Sequence, residues 1–206
     1  MPSGQRRGRW PGVPLQDRQA LRRDDLITAG IGLLGSPGGP SLTVRAVCRA
    51  AGLTERYFYE SFTDRDEYVA AVYDEVCTAA MGALMQSDSM RDAVERFVAL
   101  MVDDPARGRV LLLAPEAEPV LARSGARWMP NFIELLQRNL TRITDPTAQA
   151  MVATGLIGAL TALFTAYLDG RLSATREQFI DLCAELLLSG ASTRAPTDQG
   201  APARRA

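Results

Sequence analysis

Neither histidine nor lysine occurs anywhere in the chain, so all 23 basic side chains are arginines. Imidazole acid–base catalysis and histidine ligation of metals are thereby excluded. Cysteine is nearly as scarce. Cys48, Cys77 and Cys183 stand far apart without paired spacing, which supports neither a disulfide framework nor a zinc site. A glycine-rich phosphate loop is missing, as is a serine or cysteine with an identifiable base, so no enzyme activity, cofactor or metal is expected. The Arg- and Gly-rich start lacks an apolar stretch after its charges, so no secretory signal is expected. Three unpaired thiols suit a reducing, cytoplasmic setting.

What is present is an ordinary globular composition, 47% hydrophobic, in 206 residues. That length suits one sizeable core or two small ones, and the Ala- and Leu-rich runs favour helix. The net charge of −1 conceals an asymmetry: up to Arg65 there are ten arginines against six acids, and thereafter thirteen against eighteen. The front is therefore the end that would meet a polyanion.

Residues 1–14 lack periodicity and are expected to form a flexible basic arm carrying Arg6, Arg7 and Arg9, suited to phosphates or a minor groove. A first helix is expected over 15–34, where Leu26, Ala29, Gly30 and Leu33 share a face and a Gly/Pro-rich stretch follows. Thr43 is a candidate cap for a second helix with Val44, Val47, Cys48 and Ala51 inward, which makes Cys48 core. Gly52 stops it. Thr54 is a candidate cap for a short third helix that points Phe58 and Phe62 inward and leaves Glu55, Arg56, Tyr57, Tyr59 and Glu60 outside. Two short helices across a Gly-containing turn have helix-turn-helix spacing.

Further helix starts are expected at Thr63-x-x-Asp66 or Asp64-x-x-Glu67, at Ser89-x-x-Asp92, at Asp104-Pro105 and at Thr175-x-x-Gln178, with breaks at Pro115, Pro119 and Asp145-Pro146. From Met151 to Leu168 no charge occurs, close to the length of a membrane span. Thr154, Thr161 and Thr165 dilute the run and no aromatic belt or arginine cluster flanks it, so a helix buried on several sides is expected instead. Gly155, Ala159, Ala162 and Ala166 form a small-residue seam, and Phe179, Leu182, Cys183, Leu186 and Leu187 form one face of the last helix. These two helices form either an internal core or half of a four-helix dimer interface, the interface being favoured and formed by Gly155, Ala159, Ala162, Ala166, Phe179, Leu182 and Leu186. A disordered tail is expected over 191–206.

The run from Leu42 to Thr54 (Leu-Thr-Val-Arg-Ala-Val-Cys-Arg-Ala-Ala-Gly-Leu-Thr), followed by Phe58-Tyr59 and by Phe62-Thr-Asp-Arg-Asp-Glu-Tyr68, resembles the DNA-binding signature of the TetR family. The sharp similarity covers about the first third of the chain. Arg65 stands where the family usually has lysine, Tyr68 where it usually has leucine, and Glu60 where relatives often carry a neutral or basic residue. The resemblance implies an all-α fold of about nine helices: an N-terminal three-helix helix-turn-helix DNA-binding domain (15–66) plus a larger helical ligand-binding and dimerisation domain (67–190).

By the same resemblance the second helix crosses the DNA backbone and the third enters the major groove. Arg45 and Arg56 would then meet guanine or phosphate, Tyr57 and Tyr59 phosphate or thymine methyls, Thr43 and Thr54 the backbone, and Arg65 a phosphate. A carboxylate at Glu60 would repel phosphate or accept from a cytosine amino group. The expected partners are double-stranded DNA, a second copy of the chain and a small apolar or amphipathic effector, with no membrane. Candidate effector-pocket residues are Phe97, Met101, Trp128, Met129 and Phe132, which at helical spacing also suit plain core. The implied function is a dimeric, effector-released repressor on a palindromic operator; the alternative is a ligand-sensing or sequestering protein of the same fold that does not use DNA.

Overall fold

The computed structural model describes residues 15–37, 42–116 and 118–192. The expected basic arm with Arg6, Arg7 and Arg9, and all but the first two residues of the expected tail, lie outside these. Among the described residues the chain is all-helical, with nine α-helices and no strand. They are α1 (Leu15–Leu34), α2 (Val44–Ala51), α3 (Glu55–Ser61), α4 (Arg65–Met85), α5 (Met90–Met101), α6 (Pro105–Leu112), α7 (Pro119–Gln137), α8 (Pro146–Leu168) and α9 (Arg176–Ala191).

Local chemistry accounts for most helix ends. Thr43 is extended and its hydroxyl accepts the Ala46 N–H at 3.2 Å to start α2. Gly52 ends α2 at φ 66°, the left-handed region where a side chain is strained, and its N–H satisfies the last carbonyls. Asp64 Oδ1 accepts the Glu67 N–H at 2.8 Å, while the Glu67 carboxylate takes the Thr63 N–H at 2.7 Å, so of the two candidate starts of α4 the Asp64-x-x-Glu67 one forms the cap, and Asp66 pairs with Arg65 instead. Ser89 caps α5 through Asp92, Asp145 caps α8 ahead of Pro146, and Thr175 with Gln178 forms a reciprocal capping box on α9. Pro130 lies inside α7, where it withholds a donor from the Ala126 carbonyl.

The chain divides into two compact units. The first comprises the residues up to Thr78 together with Pro105–Ser124, and the second Ala79–Asp104 with the residues from Gly125 onward. The division departs from an expected boundary near residue 66, because α6 packs against α1. Gly35 at the end of α1 meets the Ala106 backbone so closely that an added Cβ would stand 2.3 Å from the Ala106 carbonyl oxygen. A pairing across seventy residues leaves no trace in local periodicity.

In the first unit Phe58, Phe62 and Tyr68 are almost fully buried and touch one another, with ring centroids 5.0 to 5.5 Å apart. Each such pair adds about 0.5–1.5 kcal/mol to the area it buries. The Tyr68 hydroxyl donates to the Leu26 carbonyl at 2.7 Å, and burial holds it protonated far above the usual tyrosine range. Gly30 makes room for that hydroxyl, since a Cβ there would lie 2.3 Å from it. Cys48 and Cys77 pack in the same core. Burial first, and then Asp74, pushes the Cys77 thiol up to about 12, so it is a neutral packing group at physiological pH.

In the second unit α9 packs on α5 and α8. Phe164 stands edge-on between Phe97 at 5.0 Å and Phe179 at 4.8 Å, and Tyr167 stacks on Phe179 at 4.2 Å. Arg91 of α5 reaches Asp181 at 2.6 Å and Glu177 at 2.7 Å on α9. These charges are solvent-screened, so the aromatic packing rather than the ion pairs dominates the energetics here. Three expectations are corrected. Phe179, 2% exposed between Phe164 and Tyr167, is core and not interface. Met101, fully buried, is core and offers no free surface to a ligand. Finally, α8 is not buried on several sides within the chain: Ala153, Leu156 and Phe164 alone are buried, while Met151, Thr154, Gly155, Gly158 and Ala162 are exposed.

Candidate nucleic-acid interface

The three-residue turn Gly52–Leu53–Thr54 joins α2 to α3 over the aromatic core, which fixes what both helices turn outward. Arg45 and Arg56 project into solvent with side chains 82% and 83% exposed. Tyr59 is exposed too, its ring edge-on to Phe58 at 5.3 Å. Thr43 spends its acceptor on the α2 cap and keeps its O–H for an outside partner. Thr54 occupies the cap position of α3 without making a side-chain capping bond, contrary to its expected role there, and is exposed. Tyr57 is half-buried beneath the Arg22 guanidinium, 4.4 Å from the ring centroid.

Carboxylates temper this basic surface. Glu55 lies 3.8 Å from Arg45 across the turn, and Glu60 accepts from Arg56 Nε at 2.9 Å one helical turn away. The second oxygen of Glu60 lies 3.7 Å from Arg22, so the carboxylate expected to repel phosphate sits between two guanidinium groups. Gln19 of α1 adds a bond to the Glu60 carbonyl at 3.4 Å. Sequence reasoning missed Arg22 and Gln19, because no spacing signal joins α1 to a helix some forty residues on.

Arg65 departs from its expected role. Its Nε donates to the Leu42 carbonyl at 2.8 Å, Nη1 to Asp66 at 3.3 Å and Nη2 to Glu118 at 2.5 Å. All three nitrogens are engaged within the chain, so Arg65 ties the start of α4 to the residue before α2 and to the residue before α7. The bond from Arg65 holds the Glu118 carboxyl below its ordinary value of 4.5. A depressed carboxyl stabilises the fold fully above its ordinary value and loses that contribution as pH falls through the lowered one. Glu118→Gln is therefore expected to cost about 1 kcal/mol at pH 7 after solvent screening, a melting-temperature drop of roughly 2–4 °C. Melts followed by circular dichroism should show the gap to the parent closing as the solution is acidified below about pH 4. An equal gap at every pH would show that the ion pair is not the cause.

The remaining candidates lie in the second unit. Trp128 and Phe132 face each other at 6.3 Å, and Met129 is 40% exposed. Leu182 and Leu188 are each 54% exposed on α9, Leu186 is half-buried, and Ala159 and Ala166 are half-buried on α8. A Cβ added at Gly155 or Gly158 would meet nothing within 4 Å. The open apolar face thus runs along Gly155, Gly158 and Ala162, turned by part of a turn from the expected seam.

No family model matches this sequence, and no curated protein matches it. Solved structures do. A TetR-like transcriptional regulator from Rhodococcus sp. RHA1 superposes with a TM-score of 0.66 at 18% identity, over 88% of this chain and 100% of the other. A TetR family transcription regulator from Marinobacter aquaeolei gives 0.60 at 17% identity, covering 85% of this chain and 98% of its own. The fatty acid degradation regulator FadR from Bacillus halodurans gives 0.62 at 15% identity, covering 84% and 97%. The chain has the all-helical fold of TetR-family transcriptional regulators.

Proposed function

We propose that this chain is a transcriptional regulator of the TetR family that binds DNA through the α2–turn–α3 surface. The observation that carries the reading is the set of exposed Arg45, Thr54, Arg56 and Tyr59 side chains held out by a rigid aromatic core, within a fold shared with such regulators. An α-helix fits the major groove, and Arg on the first turn of a reading helix matches guanine O6 and N7. Tyr57 and Thr43 are proposed contacts beside them, whereas Arg65 positions α4.

The chain acts as a homodimer through the open faces of α8 and α9. By length and composition α8 could also cross a membrane. Its threonines, and the charged residues Asp181 and Glu185 among the exposed positions of α9, favour cover by a second copy. A two-fold dimer reads a palindrome with half-sites about one helical turn or somewhat more apart. Release by a small apolar or amphipathic effector bound in the second unit, with Phe97, Trp128, Met129 and Phe132 as candidate contacts, requires only about 1–3 kcal/mol of coupling to change occupancy 5- to 150-fold. The chain acts in the cytoplasm by promoter occupancy, hence as a repressor, without catalysis.

Selection of bound sequences from random duplex DNA at near-physiological salt tests the proposal. Enrichment of a palindrome supports it; a folded, dimeric chain that enriches nothing supports the sequestering alternative. On the enriched duplex, Arg56→Ala is expected to cost about 1–3 kcal/mol and to relax preference at one base pair of each half-site. Arg45→Ala should weaken all sequences alike and lower the salt slope by about two, one phosphate contact being lost in each half-site. Unchanged affinity for both variants at fixed salt would remove this surface from the account.

A further inference from the structure

We infer that Arg22 of α1 is a positioning residue that sets base preference from behind the reading helix. It acts through Glu60 on Arg56 and by direct stacking on Tyr57. The inference rests on the DNA-binding reading and assigns that surface a control point outside the helix-turn-helix.

Arg22 differs in kind from the exposed arginines. Its side chain is 14% exposed, against 82% and 83% for Arg45 and Arg56, so it lies too deep to serve as a ready phosphate contact. Its guanidinium covers the Tyr57 ring at 4.4 Å, within the roughly 6 Å range of cation–π attraction. The same group lies 3.7 Å from Glu60 Oε2, and Glu60 Oε1 in turn receives Arg56 Nε at 2.9 Å. Arg56 would otherwise be a long side chain free to sample many rotamers. With Glu60 held from α1, the Nε bond restricts the rotamers of the exposed Arg56 and leaves its two Nη groups to bond a base edge. Glu60 thereby becomes a hinge pin for Arg56 rather than a reader of cytosine, which reconciles a carboxylate at this position with a surface for a polyanion.

The experiment compares the parent with Arg22→Met, Arg22→Lys, Glu60→Gln and Arg56→Ala. It measures sequence preference by selection, affinity across a salt series, and thermal stability. Arg22→Met is expected to lose about fivefold to tenfold of the discrimination at the base pair that Arg56→Ala relaxes, with an unchanged salt slope. Arg22→Lys, which keeps the charge beside Glu60 without the planar face, should fall between. The double variant Arg22→Met/Arg56→Ala should be no more than about twofold worse than Arg56→Ala alone, because one acts largely through the other. Should Arg22→Met fail to fold, Glu60→Gln carries the test: it keeps shape and the Tyr57 stack, and should relax the same base pair. An unchanged preference in both, multiplicative losses in the double variant, or a salt slope lowered by about two, one phosphate contact per half-site, would each overturn the inference. If the parent itself enriches no sequence, the DNA-binding reading fails with it. A parent palindrome retained unaltered by Arg22→Met removes the relay alone.

Discussion

Replacing Gly35 by alanine is expected to destabilise the chain by about 3 kcal/mol, the upper part of the range for overpacking. The new Cβ would fall 2.3 Å from the Ala106 carbonyl oxygen, 2.5 Å from its Cα and 2.7 Å from its carbonyl carbon. All three are backbone atoms, so no rotamer change relieves the clash, and the end of α1 must part from the start of α6. Gly32, three residues earlier in α1, is the internal control, because a Cβ there meets nothing within 4 Å. Gly32→Ala should gain about 0.5–1 kcal/mol from helix propensity. Thermal melts should place Gly35→Ala roughly 10 °C below the parent and Gly32→Ala slightly above it. A Gly35→Ala melt within a degree or two of the parent would mean that α1 and α6 are not in contact.

Gly158→Arg is expected to convert a dimer to a monomer and, with it, to abolish operator binding at working concentrations. The position is exposed on α8 and open around its Cβ, so the single chain tolerates the substitution, and arginine favours helix over glycine. Two copies packed through Gly155, Gly158 and Ala162 would not tolerate it, because a buried unpaired guanidinium at a close helix crossing is prohibitive. Without linkage each head binds its half-site alone, and the lost avidity is about a hundredfold to ten-thousandfold. Sedimentation of the parent, of Gly158→Arg and of Thr141→Arg, placed in the loop before α8, gives the comparison. A Gly158→Arg chain that stays dimeric and binds normally would move the dimer interface elsewhere.

Features encoded within one or two turns of chain were legible in the sequence. Thr43, Ser89 and Thr175 cap the helices their spacing indicates, and Gly52 takes the left-handed position between α2 and α3. Cys48, Phe58 and Phe62 point inward as their periodicity requires. What was not legible depends on distant partners. Arg65 has the residue type of a phosphate contact, but Glu118 and the Leu42 carbonyl occupy it. Phe179 shares a helical face with exposed Leu182, yet Phe164 and Tyr167 enclose it. Apolar composition made α8 look like a core helix, while its small residues leave one face exposed and only Ala153, Leu156 and Phe164 buried. Glu60 was ambiguous for the same reason: whether a carboxylate repels DNA depends on Arg22, on a helix far away in sequence.

Amide hydrogen exchange of the full chain, with and without the enriched duplex, tests most directly whether the α2–turn–α3 surface reads DNA. Slowed exchange is expected over residues 43–62 and the first turn of α4, abolished when Arg45 and Arg56 are both alanine. Bound duplex that leaves residues 43–62 unprotected, or protects only residues beyond 79, would contradict it.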